Sequence, residues 1–401
     1  MATRKPSDPT VAERIQLRRQ ARGWSIRHAA DRAGLAASTW SRIERGMRAA
    51  DNRFVLADIA QALECSVAEL TGMPLRTVDR DTEAAQAGML AVRRALLEAE
   101  FAEPGDVAPR PIEQLAAETD LVRALRVKCD YFGVTRLLPR LLFELHAAAH
   151  GRERRSALEL LVQATYTASS VAKYLGYPAE SWIGAQQCRD VAEVLEKPVL
   201  IGFAAFATTH AAMACDSFSR ARSLARRAVD ELAPQAGVAG GLETLGMLQL
   251  TAGYAARAAR QTGESAAWMA EAHSVAERTG ETNTLDMAFG PTNVRLWQIA
   301  IEVDGGDPGR AVQIASETNP ALVSSPNRQA AFYADTARAL ARLNKDRNAV
   351  RMLLTAESLA PQQIHSSPLV QESARSLLER ARREAGGPEL RGLCERMGLP
   401  V

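Results

Sequence analysis

Apolar residues recur at intervals of three and four along almost the whole chain, and no stretch shows the two-residue alternation of a half-buried strand. Near the start the period produces short segments. Residues 11–22 place Ile15 inward and Arg14, Arg18 and Arg22 outward. Ser25 is a helix cap, and Ile26, Ala29, Ala30 and Ala33 follow it at helical spacing. Gly34 stands where a helix stop needs positive φ, and Leu35 plugs the turn. Residues 36–45 form the next helix, with Trp40 and Ile43 inward, and Gly46 ends it. Two more segments, 56–63 and 67–70, close the unit, the second capped by Ser66. Small residues at Ala29 and Ala30 let two helices cross closely, as a helix–turn–helix requires.

Residues 77–100 are again helical, with Met89, Leu90, Val92, Leu96 and Leu97. Residues 101–111, with three prolines, break the pattern into a loop. Beyond Ile112 the sequence predicts helix nearly throughout. Turn residues mark second-helix starts at Pro178-Ala179, Asp216-Ser217, Gly263-Glu264, Gly306-Asp307, Lys345-Asp346 and Gly387-Pro388, spaced by 38, 47, 43, 39 and 42 residues. A long apolar helix precedes each and a shorter one follows. Ala255, Ala311 and Ala334 would allow close pairing. The expected fold is all-α: a five-helix head, then five to six stacked helical hairpins with a concave groove. The expected divisions are a flexible basic arm (1–10), the head (11–73), a linker and connecting helix (74–111) and the repeat array (112–401).

The motifs R-x-x-R-G-W-S, A-x-x-A-G-L, S-T-W-S-R-I-E-R-G and L-A-D-I-A-Q-A-L-E-C-S-V-A-E-L occur in order between Arg19 and Leu70. With them, residues 11–73 resemble a Cro/lambda-repressor-type (Xre family) DNA-binding domain. The resemblance implies an ion pair between Arg19 and Glu44. It also implies base-edge contacts from Ala37, Ser38 and Arg42, and phosphate contacts from Thr39, Arg45, Gly46 and Arg48. Ala36 and Ala37 replace the family's usual cap and polar reader, and Ile26 replaces a frequent Gln, so fewer polar groups reach the bases. Arg42 is then the expected direct reader, since a guanidinium takes guanine O6 and N7 together. The array resembles tetratricopeptide repeats, with a longer period and a poorly kept Trp–Leu–Gly–Tyr signature. F-G-P-T-N-V-R-L at 289–296 resembles a segment of actinobacterial regulators that join such a head to such an array.

Charge agrees with this division. Residues 1–76 hold 13 Lys and Arg against 8 Asp and Glu, a net of +5; the remainder holds 36 against 39, a net of −3. A basic head on a mildly acidic body suits nucleic-acid contact by the head alone. The five cysteines are scattered, with no C-x-x-C, which points to a reducing cytoplasm. No apolar run reaches the length of a membrane span.

Catalytic signatures are missing: there is no phosphate loop, no dinucleotide fingerprint, no nucleophile elbow and no H-E-x-x-H. His146 and His150 share a helical face, but no third ligand is placed to complete a metal site. No enzyme, cofactor or metal is expected. Asn293, Trp297, Tyr333, His210 and Tyr174 are candidates for lining a ligand groove, and Tyr166 and Trp182 are further aromatics of the array. The sequence therefore predicts a cytoplasmic, homodimeric transcriptional regulator that binds double-stranded operator DNA and responds to a small-molecule or peptide effector. The alternative is a repeat scaffold for protein partners with secondary DNA binding.

Overall fold

The computed structural model describes residues 9–75, 77–99, 108–383 and 387–400. Among them there are twenty-one α-helices, three 3-10 turns and no strand. The expected arm (1–10) and the loop over 101–111 fall largely outside the described residues.

Five short helices form the head: α1 (Val11–Ala21), α2 (Ile26–Arg32), α3 (Ala37–Glu44), α4 (Arg53–Ala62) and α5 (Val67–Thr71). Three start on side-chain caps at Thr10, Ser25 and Ser66, and α4 starts on Asn52, whose Oδ1 accepts from Val55 N. The head's core is Ile15, Ala30, Trp40, Ile43, Ile59 and Leu63, all nearly or fully buried.

The body begins with α6 (Arg80–Glu98), followed by seven helical hairpins. These are α7 (Ile112–Val127) with α8 (Tyr131–Ala148), α9 (Arg154–Leu175) with α10 (Pro178–Leu195), and α11 (Pro198–Ala214) with α12 (Phe218–Leu232). Next come α13 (Gly241–Ala258) with α14 (Thr262–Thr279), α15 (Pro291–Gly305) with α16 (Pro308–Ser316), and α17 (Pro326–Arg342) with α18 (Asp346–Leu359). A short α19 (Pro361–His365) leads to the last pair, α20 (Pro368–Arg383) with α21 (Pro388–Arg396). The second helices begin within two residues of the starts marked by the turn residues. Seven hairpins stand against the expected five to six; six of their second helices begin at marked starts, and the one not marked follows the α7–α8 turn, Lys128-Cys129-Asp130. The helix within the expected linker, α6, is part of the body: it lays Met89, Val92 and Leu96 into the main core, and Gly88 sits against Thr135 of α8.

One turn geometry recurs. At Cys129, Gly176, Asp216, Arg260, Gly306 and Asn344 the chain takes positive φ just past a first helix. The next N–H then donates to the carbonyl five residues back, at 2.8–2.9 Å in all six. This is the Schellman stop. Four of the six αL residues are not glycine, so composition hides the repeat of the turn.

The core runs continuously from α6 to α21, and a second cluster, including Leu296, Ile299, Val303, Ile314 and Phe332, lies between α15, α16 and α17. Among the described glycines the closest approach is at Gly246 on α13, which the fully buried ring of Phe289 covers. A Cβ there would fall within the ring's van der Waals radius. Gly246→Ala should therefore cost about 1–3 kcal/mol through overpacking, against a helix-propensity gain below about 1 kcal/mol. Gly263→Ala is the control, because a Cβ at that position meets nothing within 4 Å. Thermal melting should show a loss for the first and none for the second; equal curves would refute the packing account.

Candidate nucleic-acid interface

The turn between α2 and α3 is the same Schellman stop as in the body. Gly34 has φ of 62°, and Leu35 N donates to Ala30 O at 2.9 Å. Ser25 Oγ accepts from His28 N at 3.1 Å, whereas Ala36 gives α3 no side-chain cap. The third helix is held from beneath. Arg19 grips Glu44 with two bonds, Nε to Oε1 at 2.6 Å and Nη2 to Oε2 at 3.0 Å. Trp40 Nε1 donates to the same carboxylate at 2.5 Å, and Arg19 Nη1 donates to Trp24 O at 2.6 Å. Donation to Glu44 raises the Arg19 pKa above its ordinary value. One carboxylate thus ties α1, the α1–α2 turn and α3 into a single unit.

That anchoring fixes what α3 presents outward. Ala37, Ser38 and Arg42 are exposed, Thr39 is half-buried, and Arg45, Gly46 and Arg48 are exposed beyond the helix end. Arg45 Nε donates to Ser41 O at 3.2 Å. Arg42 makes no ion pair with any described residue, so its guanidinium is free for an external acceptor. Residues 10–71 match the family of helix-turn-helix domains. The chain carries a helix-turn-helix DNA-binding domain, which supports reading it as a DNA-binding regulator. No curated protein matches the chain.

The other side of this domain is embedded in the body, a feature that sequence reasoning missed. Asp304, at the end of α15 and 3% exposed, is the centre of the contact. Its Oδ1 accepts from Arg53 N at 3.1 Å and from Arg338, and its Oδ2 accepts from Tyr254 OH at 3.0 Å. Its backbone oxygen accepts from Asn52 Nδ2 at 2.9 Å. Arg53 Nη1 also donates to Tyr254 OH at 2.8 Å. Burial alone would raise the Asp304 pKa; Arg338 and Arg53 outweigh it and hold the group below its usual range. Beside it, the buried Asp51 accepts from Arg342 Nη2 at 2.9 Å and from Ser373 Oγ at 2.9 Å. The N-terminus of α4 is therefore filled by a carboxylate of the protein's own body, and a DNA phosphate cannot use it in this arrangement. The sequence signal was available: a lone Asp closes the apolar run I-A-I-E-V-D, and Arg338 and Arg342 stand four apart on one helix face. Their head-side partner, Asp51, lies 287 and 291 residues away in the chain, so spacing cannot identify it.

Two further contacts complete the seat. Arg260 Nη2 donates to Asp58 Oδ2 at 2.8 Å, and Val67 N donates to Asp216 Oδ2 at 2.8 Å. The ring of Phe54 lies 5.2 Å from that of Tyr254 and 6.0 Å from that of Phe218.

Inside the body, close to this seat, is a narrow cavity of about 60 Å³, partly open to solvent. Of the groove candidates, it brings together Tyr174, His210 and Trp297 and adds Tyr166 and Phe206. The other two candidates lie elsewhere. Asn293 is fully buried and accepts from Arg328 Nε at 2.9 Å, so it supports the wall rather than lining it. Tyr333 packs edge-on against Phe332 in the second cluster, centroids 5.1 Å apart. Asn293 stands one turn before Trp297 on α15 but lies behind Arg328 and Met247, which line the cavity in front of it, and Tyr333 belongs to another helix, α17. His146 is buried and its pKa is lowered to about 4, chiefly by burial, which keeps it neutral near pH 7. No cluster of three metal-ligating side chains occurs among the described residues. No helix there is long and apolar enough to cross a membrane.

Two predictions follow from the seat. Asp304→Asn removes the charge that balances Arg338 and Arg53, a loss of about 3–5 kcal/mol for a broken buried pair. Hydrogen exchange at residues 53–56 should speed by roughly 100-fold or more as α4 comes free; unchanged protection would show the seat is not held by this charge. The second concerns pH. Burial raises the Asp216 carboxyl from 3.8 to about 6, partly offset by its bond from Val67 N. Between those values the folded chain keeps a proton that the unfolded chain has lost. Its contribution is therefore complete below 3.8 and falls away as pH rises to about 6. Asp216→Asn, in a backbone conformation that Asn tolerates, should flatten this slope and stabilise the protein at pH 7 by about 1–3 kcal/mol. Melting temperatures measured from pH 4 to 8 test it.

Proposed function

We propose that the protein is a sequence-specific transcriptional regulator whose helical body governs how its helix-turn-helix head meets operator DNA. The observation that carries this reading is the division of the head into two sides. The α3 face is exposed and its Arg42 is unpaired, while the opposite side is fixed to the body by buried charges. Docking therefore leaves the reading face uncovered and sets its direction. In the proposed complex Arg42 reads a base edge, Ala37 and Ser38 lie against bases, and Thr39, Arg45, Gly46 and Arg48 meet phosphates.

A single head offers little surface, so the working form is a homodimer whose α3 helices enter major grooves about 34 Å apart. Seating on a rigid body would make that spacing depend on the body's curvature. An effector acts by preferring one curvature; one that binds both equally changes nothing. On this reading the protein belongs with Xre-type regulators carrying tetratricopeptide-like arrays, works in the cytoplasm and is not an enzyme. The seven hairpins, six of them with a common turn geometry, support the array, and the exposed basic end of α3 supports the DNA partner.

The test is competition binding of the full chain to DNA from upstream of its own gene. Arg42→Ala should weaken specific binding by about 1–3 kcal/mol, roughly 5- to 150-fold, with a smaller loss on random DNA. Equal losses on both would remove Arg42 as a base reader. Absence of any specific binding by the wild type would favour a scaffold for protein partners.

A further inference from the structure

The cavity beside the seat has an electrostatic anomaly. Lys173 and Arg328 both line it, and neither pairs with a carboxylate among the described residues. The third cation, Arg126, shares Asp286 with Arg123. Arg328 makes one bond, to the neutral Asn293, and its guanidinium lies over Trp297, 5.4 Å from the ring centroid. Lys173 lies 4.3 Å from the centroid of Tyr174. Both are half-buried, and a cation partly withdrawn from water gains from an anion beside it. Two further polar groups of the lining are buried without partners: the indole N–H of Trp297 and Nε2 of His210. His210 is itself held well below its usual pKa, by burial first and then by Lys173, Arg328 and Arg53, so it adds no charge and competes for no anion.

The walls narrow the choice of anion. Aromatic rings surround the charges: Phe206 lies tilted against His210 at 4.3 Å, His210 meets Trp297 at 5.7 Å, and Tyr174 faces Tyr131 at 5.8 Å. Flat aromatic walls around two unbalanced cations are complementary to a flat, apolar body with one acidic end. We propose that this cavity is a binding site for a small aromatic acid, with its carboxylate between Lys173 and Arg328 and its ring among Tyr174, His210 and Trp297. The Trp297 N–H and the unused donors of Arg328 supply further bonds to the carboxylate.

The site is joined to the head by contact. Trp297 meets Tyr254 edge-on at 5.8 Å, and Tyr254 holds Phe54 by its ring and Arg53 and Asp304 by its hydroxyl. A ligand that moves the indole therefore moves the residue on which α4 is seated. This consequence rests on the regulatory reading above; occupancy of the cavity does not.

The experiment is calorimetric titration of the full-length protein with benzoate and 2-naphthoate. Benzamide and 2-naphthamide serve as uncharged controls and inorganic phosphate as a non-aromatic anion. At least one acid should bind with a dissociation constant below about 1 mM, at least tenfold tighter than its amide and than phosphate. Lys173→Met and Arg328→Met, each checked for unchanged helicity and melting, should each weaken that acid about tenfold or more. Equal affinity for acid and amide, equal affinity for phosphate, no loss in either variant, or no acid binding at about 1 mM would each overturn the site. Exchange at residues 53–56 with and without the bound acid then separates the two claims. Charge-dependent binding that leaves that exchange unaltered keeps the site and removes its control of the head.

Discussion

A single carboxylate, Asp304, decides how the two parts of this protein are related. It is withdrawn from water, which is unfavourable by itself, and the compensation comes from both sides at once: Arg338 and Tyr254 from the body, the Arg53 amide from the head. Neither part alone would satisfy it. The apolar packing has the same reciprocity, because Leu369 of α20 joins the head's core and Phe54 of α4 joins the body's. Each core contains one side chain that belongs to the other part. The contact is therefore not an incidental touch between modules, and the direction of α3 is set by the same groups that complete the interior of α13, α15 and α17.

The fold was legible in the sequence to the extent that local chemistry dictates it. Period, caps and turn residues specify α1, α2, α3 and α5 closely, because Ser25, Gly34, Ser66 and the inward Trp40 act within one or two helical turns; α4 begins three residues before the expected 56, on the Asn52 cap. The hairpin starts were legible for the same reason: Pro178, Asp307 and Asp346 mark helix entrances directly. The hairpin at Lys128-Cys129-Asp130 was not marked, although Asp130 caps α8 as Asp307 caps α16. Turn geometry is repeated more faithfully than turn composition.

The candidate site divides along the same line. The outward residues of α3 follow from a helix whose inner face is known, and the Arg19–Glu44 pair was suggested by resemblance. The seat was illegible because it is made by partners such as Asp51 and Arg342, or Arg53 and Tyr254, which only the folded array brings together. Among the groove candidates, aromatic character alone could not separate Trp297, at the cavity, from Tyr333, on the far face of its helix. Helical phase decides that, and phase is uncertain by a residue wherever a helix boundary is. Lys173 and Arg328 gave no sign at all, since an unpaired cation is indistinguishable in sequence from a solvated one.

Because the carboxylates of the seat are buried among their partners, dissolved ions reach them poorly, and their attraction is little screened. Contacts made by exposed cations such as Arg42, Arg45 and Arg48 to a polyanion would be the opposite, since each phosphate neutralised releases a counterion. The two sides of one small domain thus differ in their response to ionic strength. Salt would loosen the outer face from a nucleic acid long before it loosened the inner face from the body, so a head released from DNA would leave still aligned, ready to rebind without searching again for its orientation.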